Sequence, residues 1–179
     1  MRARFNRRER PAPRPRREGA AALEFALVAT PFFFLIFAIM ELALVFVLSS
    51  VLENATLNAS RLIRTGRVDH ENISATAFKT ALCGQMSVLS AGCAGRTDID
   101  VRVIPQFRNV TPPDPLVNGT LDESALSYLP GDPGSLVLVR VWYSQPLVTP
   151  FLSRAVSRLN SGDAVLSVST AFRNEPYDG

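Results

Sequence analysis

Gly19-Ala20-Ala21-Ala22-Leu23-Glu24-Phe25-Ala26-Leu27-Val28-Ala29-Thr30-Pro31-Phe32-Phe33-Phe34-Leu35-Ile36-Phe37 opens an apolar run, and from Phe25 to Leu48 Glu41 is the only ionisable side chain. As a helix, 25–48 reaches ~36 Å at ~1.5 Å per residue, enough to cross a hydrocarbon core of ~30 Å. A core helix apolar on every face needs a large protein around it, and in a chain of 179 residues the remainder is too short to wrap it. The run reads as a membrane span over 20–48. Thr30-Pro31 suggests a local break or kink, because proline removes a helical hydrogen bond.

The stretch before the run is a different kind of polypeptide. Residues 1–18 hold eight arginines against Glu9 and Glu18, a surplus of six positive charges, whereas the whole chain carries only +3. The remainder is therefore acidic, and the basic character belongs to the tail. By the positive-inside rule this tail, 1–19, stays in the cytoplasm and the chain after the span lies outside it. Its proline-broken arginines attract anionic lipid heads, and with only Phe5 as an aromatic platform the segment lacks the interleaving that single-stranded nucleic acid would need. Disorder is its expected state. A removable secretory signal is excluded by the length of the uncharged core, which well exceeds ~7–15 residues.

Glu24 raises a separate question. A carboxylate near the end of a lipid-facing helix is costly unless it snorkels, protonates or finds a cation. A cut after Gly19 would give Ala20 a new α-amino group, and in a staggered bundle the carboxylate of one helix could neutralise the amine of the next. Gly19, the small and apolar residues after it, and Glu24-Phe25 resemble the prepilin-peptidase site of the Flp type IVb pilins. The wider stretch, through Met40-Glu41, Asn54-Ala55, Ala59-Ser60-Arg61 and Arg64-Thr65-Gly66, resembles the TadE-like proteins of the tight-adherence (Tad) pilus system. The resemblance covers residues 16–66.

It implies a minor pilin or pseudopilin, cut between Gly19 and Ala20 by a prepilin peptidase. It also implies a single-pass protein of the bacterial inner membrane with a periplasmic head, working with other pilin-like subunits and pilus assembly proteins. The alternative is an uncleaved, membrane-anchored binding or adaptor protein. Glu41, the second intramembrane polar residue, faces either a neighbouring subunit or the outer interface.

Beyond the span the helix should continue over 49–66. Leu48, Leu52, Ala55, Ala59 and Leu62 recur at helical spacing, and Gly66 offers a left-handed stop. The periplasmic domain, 67–179, then begins with a second helix capped by Asn72, with Ile73, Ala77, Phe78, Ala81 and Leu82 on one side and Gly84 at its end. His70 is the only histidine and reads as a solvated loop residue. Cys83 and Cys93 are the only cysteines; their spacing fits no zinc pattern, and outside the cytoplasm a disulfide is the natural state. Its ring would add ~2.5–3 kcal/mol by loop-closure entropy.

The period then changes to two. Ile99, Val101 and Val103 alternate with Asp98, Asp100 and Arg102, as in a strand with the charges facing solvent. Prolines and glycines fill 105–134, a surface excursion or partner-binding loop with one helical turn inside 121–129. Leu136 to Tyr143 reads as a central strand. Thr149-Pro150 caps a helix bearing Phe151, Leu152, Ala155, Val156 and Leu159, and Val165 to Phe172 returns as a final strand. The order of elements fits an α+β head with a mainly antiparallel sheet. No phosphate-cradling Gly-Lys motif, nucleophile elbow or convergent acid pair appears, so no catalytic residue, metal site or cofactor is expected.

Overall fold

The computed structural model describes residues 17–67, 74–86, 92–108 and 111–176. His70, Asn72 and Ile73 lie outside these residues, as does the arginine tail up to Arg16. The chain forms two compact units, Met1–Phe37 and Ala38–Gly179.

Helix α1, Arg17–Arg64, holds Pro31 in its interior. The expected break is absent: the assignment is helical on both sides of Pro31, and the Thr30 hydroxyl donates to the Ala26 carbonyl at 2.8 Å. One proline removes one donor from a ladder that is otherwise kept, and the neighbouring hydroxyl turns inward to a carbonyl of the preceding turn. The described residues of the first unit are helix alone, and their large apolar side chains are exposed.

In the second unit the character of α1 changes. Leu48, Leu52, Ala55, Thr56, Ala59, Ser60 and Ile63 are buried while Asn54, Asn58 and Arg61 are exposed. Ile63 occupies the buried position that Leu62 was expected to hold; Leu62 is half-buried beside it. Gly66 ends the helix at φ +72°, with its N–H on the Ile63 carbonyl and the Thr65 N–H on the Arg61 carbonyl.

Helix α2, Ala75–Gln85, is capped by Ser74, whose hydroxyl accepts from the Ala77 N–H. The cap therefore sits nearer the helix than Asn72, and Gly84 lies inside the last turn instead of ending it. Phe78, Leu82 and Cys83 form its buried side. Cys83 is joined to Cys93 by a disulfide with Cα atoms 5.7 Å apart.

The sheet is antiparallel, β1 (Thr97–Val103), β4 (Leu136–Gln145) and β5 (Ala164–Arg173), with β4 in the middle. Between β1 and β4 the chain forms a small hairpin, β2 (Leu116–Val117) and β3 (Thr120–Leu121). Asn118 at φ 51° and Gly119 at φ 75° make its turn, the left-handed pair that a tight hairpin demands. A 3-10 turn at Glu123–Ala125 supplies the helical turn expected within 121–129. Helix α3, Pro150–Val156, follows β4 with Thr149 as its N-cap. It is shorter than the periodicity suggested, since Leu159 falls beyond its end.

One face of the sheet is the core. Ile99 and Val101 of β1, Val137, Val139, Val141 and Tyr143 of β4, and Leu166, Val168 and Phe172 of β5 pack against Leu52, Ala55, Ala59 and Ile63 of α1 and Phe78 and Leu82 of α2. The result is an α+β arrangement of two layers. Helical periodicity in α1 and α2 and a period of two in the strands each deliver an apolar face to the same plane. Phe78 is fully buried and stacks obliquely on Tyr128, with ring centroids 6.1 Å apart. Phe78→Ala should cost about 3–5 kcal/mol through lost burial and a residual cavity, read as a lowered denaturant midpoint of the detergent-solubilised protein.

Candidate functional site

Gly19, Ala20, Glu24 and Phe25 lie on the first turns of α1, and all four are exposed. The Gly19–Ala20 bond is in helical conformation. A Cβ added at Gly19 would meet nothing within 4 Å, so bulk inside the chain places no demand on this glycine. Glu24 is one helical turn further on, and the Phe25 side chain projects outward at 73 % exposure.

Glu41 has a different setting. Its Oε2 accepts the Thr149 N–H at 2.9 Å, and its Oε1 accepts the Val148 N–H. Both donors belong to the loop that leads from β4 into α3. Thr149 makes no capping bond with its own side chain, so the carboxylate of a distant residue receives the backbone groups at the helix entry. An anion at this end also meets the positive pole of the helix. The carboxylate thus has partners within its own chain, which the sequence did not indicate.

The sheet's other face carries a second polar centre. The register sets Asp100 directly opposite Arg140. The Asp100 side chain is 0 % exposed and accepts from Arg140 Nε at 3.0 Å and Nη2 at 2.8 Å, Arg102 Nε at 2.8 Å, and the Ser127 N–H at 2.9 Å. This corrects the expectation of solvent-facing charges on β1. The segment after β3 folds back over the strand edge, Val101 bridges to Tyr128, and the outer face near Asp100 is covered.

Arg140 also donates to the Pro113 carbonyl and lies over the Trp142 ring, 4.8 Å from its centroid. Arg102 donates to the Ala125 carbonyl. Burial pushes the Asp100 carboxyl upward, but the bonds from Arg102, Arg140 and Ser127 together with the Arg140 charge outweigh it and hold the group below the ordinary carboxylate value. Asp98 is half-buried next to Lys79; burial raises its carboxyl, assisted by Glu123 and opposed by Lys79.

The proline-rich segment is thus tied down at several points. Asn174, just after β5, is buried and donates to the carbonyls of Pro130, Gly131 and Asp132. Gly131 has φ +75°, and a Cβ there would come within 2.7 Å of Val103, so only glycine fits. Asn160 donates to the Asn118 carbonyl and to that of Gly119, pinning the hairpin to the turn after α3. The Asn-Gly pair was the sequence signal for that hairpin. Nothing local in the sequence marked Asp100 as a hub, because only Arg102 is near it along the chain and its other partners lie 27 and 40 residues away. Among the described residues no cluster of His, Cys, Asp and Glu could hold a metal ion.

Asp100→Asn leaves two arginines without their anion and should destabilise the head by about 3–5 kcal/mol. The wild-type carboxyl is lowered by folding, so its contribution is present above the unfolded value of about pH 4 and is lost as pH falls through the lower folded value. Asp98, raised by folding, works in the opposite sense. The gap in thermal midpoint between wild type and Asp100→Asn should therefore be widest at neutral pH and close in acid, which a midpoint series against pH measures.

The helix Gly19–Arg64 is long and apolar enough to cross a membrane, with a mean hydropathy of 2.7 in its most apolar window. This fits a single-pass anchor. No curated protein and no solved structure matches the chain. Residues 19–61 match the family model described as TadE-like protein, and the matched stretch contains Gly19, Ala20, Glu24, Phe25 and Glu41 and runs into the buried face that begins at Leu48. Over these residues, which make up most of α1, the chain is similar to TadE-like proteins.

Proposed function

We propose that this protein is a pilin-like component of a Tad-type pilus assembly, anchored by α1 with its arginine tail in the cytoplasm and its disulfide-bonded head in the periplasm. The observation that carries the reading is the coincidence of the TadE-like match at 19–61 with an exposed Gly19-to-Phe25 stretch at the head of an apolar helix. A prepilin peptidase removes residues 1–19, and the new amine of Ala20 meets the Glu24 carboxylate of a neighbouring pilin-like subunit. Each charge then answers the other where water is scarce. The asymmetry between the basic tail and the acidic remainder supports the orientation, and the Cys83–Cys93 bridge suits an oxidising compartment. The role is structural: the chain packs, anchors and presents, with no chemistry of its own.

A second reading, an uncleaved single-pass adaptor, is favoured by one feature: the Gly19–Ala20 bond lies within α1 and not in an extended segment.

The intact mass of protein extracted from its native membrane separates the two. A chain beginning at Ala20 is expected; a chain retaining the arginine tail selects the adaptor. Glu24→Ala should leave membrane insertion unchanged while sharply reducing recovery of the protein with assembled pili. Undiminished recovery would overturn the charge-pairing step.

A further inference from the structure

Val148 is 88 % exposed, the most exposed of the large apolar side chains among the described residues. Pro146 beside it is also exposed, and Leu147 is half-buried. The loop cannot drift from α1, because the backbone N–H groups of Val148 and Thr149 are held by the Glu41 carboxylate. At this height the helix itself is apolar and largely uncovered: Ile39 and Met40 precede Glu41, Leu44, Phe46 and Val47 follow it, and all five are exposed, while Leu42 and Val45 are half-buried. Burial of α1 against the head begins only at Leu48. An apolar loop tip and an apolar, uncovered length of helix therefore stand side by side.

We infer that the loop 146–149 is a membrane foot, seated in the outer-leaflet interface of the bilayer that α1 crosses, with Glu41 fixing its depth. The inference rests on α1 being a span, as in the reading above. The occupant is identified by continuity, since the uncovered surface beside the loop is the outer end of the span itself. Residues 20–40 supply ~30 Å of helix, the thickness of the hydrocarbon core, which puts Glu41 at its outer boundary.

The bonding suits that place. A carboxylate and two backbone N–H groups would each need water at the boundary, and here they satisfy one another. An apolar tip with its backbone donors already taken can enter the interface without stranding them. The head then meets the membrane at two points, the helix and the foot.

The test uses the full chain at one copy per vesicle in phosphatidylcholine/phosphatidylglycerol membranes, with a bimane label on Val148→Cys. This substitution keeps the backbone N–H, and both native cysteines are held in the disulfide. Labels at Val117→Cys on the hairpin and Phe33→Cys in the span calibrate water and lipid. The expected result is iodide quenching at position 148 several-fold below that at 117, with strong quenching by lipids carrying a nitroxide near the headgroup. Pro146→Cys, which leaves Val148 intact, should give the same pattern if the first variant folds poorly.

A label at 148 as open to iodide as that at 117, while 33 remains in lipid, overturns the foot and leaves the span standing. Iodide access at 33 would mean that the span reading has failed, and the foot with it. Shielding that appears only at high protein-to-lipid ratio would assign the loop to a second copy of the chain and equally overturn the inference.

Discussion

One helix carries two kinds of surface, and the head is packed around the part of it that is apolar on one side only. Up to Val47 most of the large side chains of α1 are exposed and apolar, a surface that suits hydrocarbon and suits water badly. From Leu48 onward the helix keeps an apolar stripe on one side only, with Asn54, Asn58 and Arg61 turned outward. A half-apolar helix in water needs a cover. The three-stranded sheet and α2 provide it, so the head exists as a packed body around the distal length of its own anchor.

Glu41 stands shortly before this change, in the apolar stretch. A lone carboxylate in the apolar stretch would be a liability, and the tertiary structure removes it by presenting two backbone N–H groups from the entry of α3. The same bonds tie a loop more than a hundred residues downstream to the helix.

On the outer face of the sheet a buried ionic cluster does comparable work for the loops. Asp100 gathers Arg140, Arg102 and the Ser127 N–H, and the two arginines reach on to the Pro113 and Ala125 carbonyls. Long connections rich in proline have no ladder of their own. Here their backbone groups are bonded by side chains from the strands, and Asn174 closes the last of them. Desolvating such a cluster costs free energy, so its value lies in fixing one arrangement of the connections more than in raw stability.

The amino-acid sequence alone determined the features that depend on neighbours along the chain. The apolar run, the stripe from Leu48, the left-handed stop at Gly66, the Thr149-Pro150 helix entry and a strand at 136–143 all follow from local spacing and from residue chemistry. The Gly19-to-Phe25 stretch was legible for the same reason, as a short contiguous pattern. The Asn118-Gly119 turn was equally local and should have announced the hairpin. Only tertiary structure decided that Asp100 is buried, that Glu41 is answered by Val148 and Thr149, and that β4 lies between β1 and β5. A side chain's solvent and partner at long range depend on which distant backbone folds over it, and alternation along one strand carries no information about what covers the outer face.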